Sequence, residues 1–296
     1  AFLPSPGDIS ADFSAKPKPP ATKKSIDPVK PAMEWIDRYR AKVESRQWTR
    51  LIRTSDAFEG FECGAGLITA IGSGPGTGKT AMIMQLVWDA IANDPDIGPV
   101  YIAGNDTNFD TILRREITRM TRVSSDSIRF NSLSDAEHEQ VTAAIEQIAP
   151  RMENMFVLDP ADWLGLHALL EKTPGIVVVD YLQKFTPPDA KDARQGVGQV
   201  MTLLRQLANN GWAVLAISAV KRNASGVYCN KSLDLSSFRE SSEIEFQIDA
   251  GYVLKDMGAL ENRDYIRAMH LECVKNRNGQ LKSFDLRFDR PRMQFA

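Results

Sequence analysis

Lys79 and Thr80 stand side by side behind a spaced run of glycines, in the stretch TAIGSGPGTGKTAMIMQ over residues 69–85. These residue types suit a phosphate chain. Where glycine removes Cβ, backbone amides can turn toward an anion, an ammonium can reach the outer phosphates, and a hydroxyl can enter a Mg²⁺ shell. Counting back from Gly78-Lys79-Thr80, the spacing G-x-x-x-x-G-K-[ST] expects a glycine where Ser73 stands. That position needs mainly a small residue as the chain leaves its strand, so serine there is compatible with binding. Gly74, Pro75, Gly76, Thr77, Gly78, Lys79, Thr80 and Ala81 are the residues expected to hold the phosphates of a nucleotide, with Thr80 on Mg²⁺.

Two carboxylates could complete a hydrolysis site. Asp180 closes the apolar run GIVVVD, and a carboxylate at the tip of a strand near the loop orients Mg²⁺ through water. Asp106 follows VYIAG, where it can serve as a general base or as the N-cap of the helix FDTILRRE; the residues by themselves leave both open. Lys275 and Arg277 lie two apart in KNRNG and so point the same way on a strand or its end. On their own they read as a solvated basic hairpin turn. Lys221, Arg222 and Lys231 form a further basic loop.

These residues need elements to position them. Apolar runs at 67–71, 100–104, 154–159, 175–180 and 212–218 alternate with helical sequence, and nearly continuous apolar strands joined by helices predict an α/β fold with a mostly parallel sheet. The runs AGYVLK, YIRAMHLECVKN and KSFDLRF predict antiparallel strands closing the C-terminal edge. Residues 1–31 hold seven prolines and predict a flexible tail. Trp35, Tyr39 and Val43, four apart, predict an amphipathic linker helix over 32–54, packed on its own domain or on a neighbouring subunit. The domain proper is expected over 55–296.

Composition excludes several classes. A net charge of −2 supplies no attractive field for nucleic acid, so any such contact must be a local basic patch. Cys63, Cys229 and Cys273 lack the spacing of a zinc site or a disulfide framework and read as buried thiols. No apolar run approaches a membrane span and the amino terminus lacks a signal-peptide layout, so a cytoplasmic chain is expected.

The order GSGPGTGKT, VYIAGNDTNFDTILRRE, IVVVDYLQ, AISAVKR, FRESSEIEFQIDAG and VKNRNGQLKSFDLRF resembles the motor domain of the DnaB-type replicative helicases, within the RecA-like ATPases, over residues 55–295. The resemblance implies a RecA-like core and a ring, usually hexameric, with ATP between subunits, single-stranded DNA in the channel and replication proteins as partners. Residue by residue, it implies that Lys79 and Thr80 bind ATP and Mg²⁺, that Asp180 is the second Mg²⁺ carboxylate, and that Asp106 stands for a catalytic glutamate. Lys275 and Arg277 match a pair that reaches the neighbour's γ-phosphate. Arg239, Glu240 and Ser242 match a loop that tracks the DNA backbone, with Lys221 and Arg222 in the loop before it.

The chain departs from that pattern at Asp106, one methylene short, at Ala219, where a glutamine would sense the γ-phosphate, and at Ser242, which replaces a glycine. A proline-rich tail and one helix stand where the family carries a sizeable amino-terminal domain. The expectation is a divergent phage, plasmid or other DnaB-like motor acting on single-stranded DNA. The alternative is an ATP-gated assembly protein with weak hydrolysis.

Overall fold

The computed structural model describes residues 32–44, 51–94, 97–104, 107–159, 161–220, 233–234, 237–238, 241–260 and 263–296. Contacts divide the chain into residues 1–48 and 49–296. In the first unit, Ala32–Glu44 forms helix α1, with an Asp37–Arg40 ion pair at 3.6 Å one turn apart. The linker helix expected over 32–54 does not run to its end. Ile52 instead donates its amide to Cys63 O at 2.8 Å and packs on the core of the second unit.

The second unit is built on strands β1 (Ile68–Ser73), β2 (Val100–Gly104), β3 (Met155–Val157), β4 (Ile176–Asp180), β5 (Ala213–Ala219), β6 (Ala250–Leu260), β7 (Arg263–Asn276), β8 (Phe284–Asp289) and β9 (Gln294–Phe295). Among the described residues they form one sheet in the order β3-β2-β4-β5-β1-β6-β7-β8-β9. The strands from β3 to β6 are parallel, and β7, β8 and β9 add antiparallel pairings. The helices are α2 (Lys79–Asn93), α3 (Phe109–Thr121), α4 (Ser125–Arg129), α5 (Asp135–Ile148), α6 (Trp163–Ala168), α7 (Ala193–Asn209) and α8 (Ser241–Gln247).

Alternation along each strand feeds two cores, one on each face of the sheet. Ile176 and Val178 of β4 and Leu215 and Ile217 of β5 pack with α2, α3 and α5. Val177 and Val179 of β4 and Val214 and Ala216 of β5 pack with α6, α7 and α8. Because neighbouring side chains leave opposite faces of a strand, an unbroken apolar run is what a doubly covered strand requires. Each fully buried valine or isoleucine in such a run contributes about 1.5–3 kcal/mol. Gly175 opens β4 against Pro99, whose carbonyl would sit 1.9 Å from any Cβ there. A side chain at that position would push the strand out of register with β2.

Among the described residues, no helix is long and apolar enough to cross a membrane. Cys63 and Cys273 are buried thiols, and burial pushes the Cys63 thiol up to about 12. Cys229 lies outside the described residues.

Candidate active site

The chain leaves β1 at Ser73, whose hydroxyl donates to Gly74 O at 3.0 Å and also meets the Thr77 hydroxyl. Thr77 donates to Gly74 O at 2.8 Å, so side chains brace the loop from within. The position that departs from the glycine pattern is thereby a brace. Gly76 and Gly78 take φ of +72° and +97°, as the turn into α2 demands. At Gly78 space is also short, since a Cβ would lie 3.0–3.2 Å from the rings of Phe288 and Phe295.

Helix α2 begins at Lys79 with Gly78 as its N-cap, no side-chain cap and no acidic residue in its first turn. The first-turn amides and the positive end of the helix therefore face outward without a competing carboxylate from the helix itself, as an anion site requires. Lys79 Nζ folds back over the loop, donating to Ser73 O at 2.9 Å and Gly74 O at 2.8 Å. Thr80 Oγ1 donates to Asp180 Oδ2 at 2.7 Å. Asp180 ends β4 and is buried. A hydroxyl and a carboxylate placed together at the loop are the oxygen donors that a hydrated Mg²⁺ takes in such sites, so these residues fit that ion.

The loop opens into a cavity of about 500 Å³. One wall is the loop and the start of α2; a second holds Thr107, Arg115, Asp180 and Ala219; a third comes from the antiparallel edge, with Phe288, Arg290 and Met293. Arg115 is half-buried, and burial with Arg114 alongside lowers its pKa while Asp180 opposes that shift. Its neighbour Arg114, one step around α3, turns to Asp110 at 3.6 Å and Ser125 at 3.3 Å. Arg290 is tied to Asp256 at 3.3 Å, and Phe288 stacks on Phe295 with centroids 4.2 Å apart. A lining that combines the loop, two arginines and an apolar surface suits a nucleotide, whose phosphates need cations and whose sugar and base need such a surface.

Sequence reasoning missed Arg115, Phe288, Arg290 and Met293. For Arg115 the only usable signal was helix phase, because the dipeptide Arg114-Arg115 does not say which residue faces the strand tips. The other three come from the far edge of the sheet, and nothing local in the sequence ties them to the loop.

At the tip of β5, the Ala219 amide donates to Gln183 Oε1 at 3.1 Å, and Gln183 Nε2 donates to Ser218 Oγ at 2.9 Å. The glutamine of DYLQ thus holds the backbone of β5, and Ala219 presents only a methyl to the cavity. Asp106 lies outside the described residues. Its alternative role is taken: the N-cap of α3 is Asn108, whose Oδ1 accepts from Thr111 N at 3.0 Å. The capping reading of Asp106 is corrected accordingly, because α3 starts two residues later than that reading needs.

Lys275 and Arg277 sit elsewhere. β7 runs antiparallel to β6, so its end, with Asn276 opposite Ala250, lies where the parallel strands begin. Arg277 donates its amide to Asp249 O at 2.8 Å, and Asp249 Oδ2 accepts from Ile68 N, the first residue of β1, at 2.8 Å. The phosphate loop leaves the other end of β1, about 17 Å away at roughly 3.3 Å per residue. Within one chain the structure does not bring this pair to the loop. The hairpin chemistry is present, with Asn276 Oδ1 accepting from Asn278 N at 2.9 Å and Gly279 N at 3.1 Å. The cations turn away from it, Lys275 Nζ donating to Glu245 O and Arg277 Nη2 to Phe246 O.

Ser242 lies in α8, its hydroxyl accepting from Arg194 at 2.9 Å. Lys221, Arg222, Lys231, Arg239 and Glu240 lie outside the described residues. A larger and more open groove, of about 700 Å³, is lined by Trp163, His167, Gln195 and Gln199. Its lining includes none of the loop residues from Ser73 to Ala81.

Comparison with known proteins bears on the fold and the family. The chain is similar to the replicative DNA helicase DnaB of Buchnera aphidicola subsp. Baizongia pistaciae (strain Bp), 22% identical over 230 residues, 74% of this chain and 49% of that protein. It is 23% identical over 231 residues to a probable replicative DNA helicase of Trieres chinensis, 73% of this chain and 50% of that one. The chain therefore spans about half the length of the curated relatives it matches. Among solved structures it is similar to one described as an ATPase domain, with a TM-score of 0.71 at 20% identity over 89% of this chain and 97% of that one. A DnaB-like replicative helicase described with its primase interactions matches with a TM-score of 0.69 at 20% identity, over 90% of this chain and 67% of the other. These likenesses establish a RecA-like ATPase fold. The family profile of the DnaB-like helicase C-terminal domain matches residues 49–296, and the chain belongs to that family.

Proposed function

We propose that this protein is an ATP-driven motor on single-stranded DNA, hydrolysing ATP between copies of itself arranged in a hexameric ring. One observation carries the reading: the phosphate loop and the pair Lys275 and Arg277 stand at opposite ends of β1. A cation pair that cannot serve its own loop can serve the loop of the next copy. In that arrangement the loop amides and Lys79 bind the phosphates, and Arg115 adds charge beside them. Thr80 and Asp180 would hold Mg²⁺, which would supply positive charge to neutralise the phosphates. Asp106 orients the attacking water, and Arg277 from the neighbour stabilises the charge that builds on the γ-phosphate, with Lys275 beside it. Arg239, Glu240, Ser242, Lys221 and Arg222 are proposed to face the DNA backbone, where electrostatic contacts are salt-sensitive. By this reading the protein works with DNA-replication partners on the cytoplasmic side of any membrane.

The test is ATP turnover with and without poly-dT at low salt. Stimulation together with dT binding supports the motor; absence of both removes it. A second reading, an ATP-gated assembly protein with weak hydrolysis, is favoured by the methyl that Ala219 places in the cavity where a polar sensor is expected. It requires nucleotide-dependent oligomerisation with little turnover, and rapid turnover excludes it.

A further inference from the structure

Ser242, one of the residues proposed to face DNA, and the carbonyls that hold the cations proposed to act on the neighbour's nucleotide lie on one short helix. We propose that α8 is the element through which bound single-stranded DNA controls the aim of Lys275 and Arg277; the inference rests on the motor reading above. Helix α8 follows directly on Arg239 and Glu240. Near its start, Arg194 of α7 ties it down, bonding Ser242 at 2.9 Å and lying 3.7 Å from Glu243. At its end the backbone carbonyls, which lack partners within a helix, are taken up by cations. Glu245 O accepts from Lys275, Phe246 O from Arg277, and Gln247 O from Arg205.

Asp249 locks the base of this rack. Its Oδ2 accepts from Ile68 N at 2.8 Å and Arg205 at 2.9 Å, while its Oδ1 lies 3.7 Å from Arg277. Ile244 within the helix and Ile248 just past its last residue are fully buried in the core shared with α7. A close-packed interior transmits strain, so a push at the start of α8 reaches the carbonyls at its end. The guanidinium and ammonium groups keep further donors for a phosphate while bonded to those carbonyls. Their aim follows the helix, and a displacement of about an ångström is enough to change a rate on the order of a hundredfold.

The experiment compares two substitutions at Phe246, which is 71% exposed. Phe246→Ala removes the ring alone, whereas Phe246→Gly also frees the last turn of the helix. In the full chain, ATP turnover is measured with and without oligo-dT, together with the KM for ATP and the dT affinity. The expected result is a stimulation ratio about tenfold lower in the glycine variant than in the alanine variant, with equal KM and equal dT binding. Equal ratios overturn the coupling, including the case in which both rates fall together. Should the glycine variant fail to fold, Arg194→Ala releases the other end of α8 at an exposed position and is expected to lower the ratio; a wild-type ratio overturns the coupling. Arg277→Ala in the same assay separates the two claims. If it keeps the full rate, the motor reading falls and the coupling with it. If it loses the rate while the two Phe246 variants agree, the coupling alone falls.

Discussion

Two corners of this molecule hold lysine or arginine on the carbonyls of their own chain, and they differ in what completes them. At the phosphate loop, Lys79 rests on Ser73 O and Gly74 O beside the Thr80–Asp180 pair. A phosphate arriving there finds amides, ammonium, hydroxyl and carboxylate from one chain. At the other end of β1, Lys275 and Arg277 rest on Glu245 O and Phe246 O beside Asp249. No phosphate-binding backbone accompanies them among the described residues. The first corner gathers groups that suit a phosphate chain, and the second holds two cations with, among the described residues, no such backbone beside them. In the proposed motor, that difference makes an interface between copies the unit of chemistry.

The strongest way to break that comparison is Arg277→Ala, which is expected to lower turnover on the order of a thousandfold while leaving nucleotide affinity in place. Mixing Arg277→Ala with Lys79→Ala sharpens it. Each variant alone is inactive, but mixed assemblies contain interfaces with one intact corner from each, so activity returns; a mixture as inactive as its parts contradicts an interface site. Next in size, Asp106→Glu is expected to raise turnover about tenfold or more, since a carboxylate short by one methylene sits away from the attacking water. Steady-state rates at saturating ATP decide this, and an unchanged rate argues against Asp106 as the water-orienting group.

A smaller effect concerns pH. Burial, with Arg277 alongside, lowers the Lys275 pKa below the usual lysine range, while Asp249 and Glu245 pull it upward and Arg205 pushes it further down. The depressed group loses its proton at lower pH than a free lysine, so the alkaline side of the rate profile falls early. Lys275→Arg keeps its charge there and is expected to move that fall to higher pH, as a profile of kcat against pH will read. The smallest effect is at Ser73. Ser73→Gly removes the brace to Thr77 and Gly74 and is expected to cost about 0.5–1.5 kcal/mol of stability with little change in turnover, checked by denaturant unfolding.

Much of the fold was legible because its signals are local. The apolar runs at 100–104 and 175–180 match β2 and, within a residue, β4, and KTAMIMQLVWDAIAN is α2 from first residue to last. The strand at 154–159 was shorter than expected, since β3 covers Met155–Val157 at the sheet edge with Phe156 and Val157 exposed. An edge strand needs less apolar sequence, so its length is poorly encoded. The cap of α3 shows the same limit at one residue's scale. Asp106 and Asn108 both suit an N-cap, and only the backbone decided for Asn108.

The sequence by itself determined the phosphate loop, the Asp180 strand tip and the parallel α/β core, because each depends on residues close together in the chain and on periodicities of two and 3.6. Tertiary structure alone decided which of Arg114 and Arg115 faces the cavity, that Phe288 and Arg290 form its far wall, and that Lys275 and Arg277 lie a strand's length from the loop. Those facts depend on helix phase, strand order and register between segments far apart in the chain. Sheet closure sets them, and no short stretch of sequence contains it.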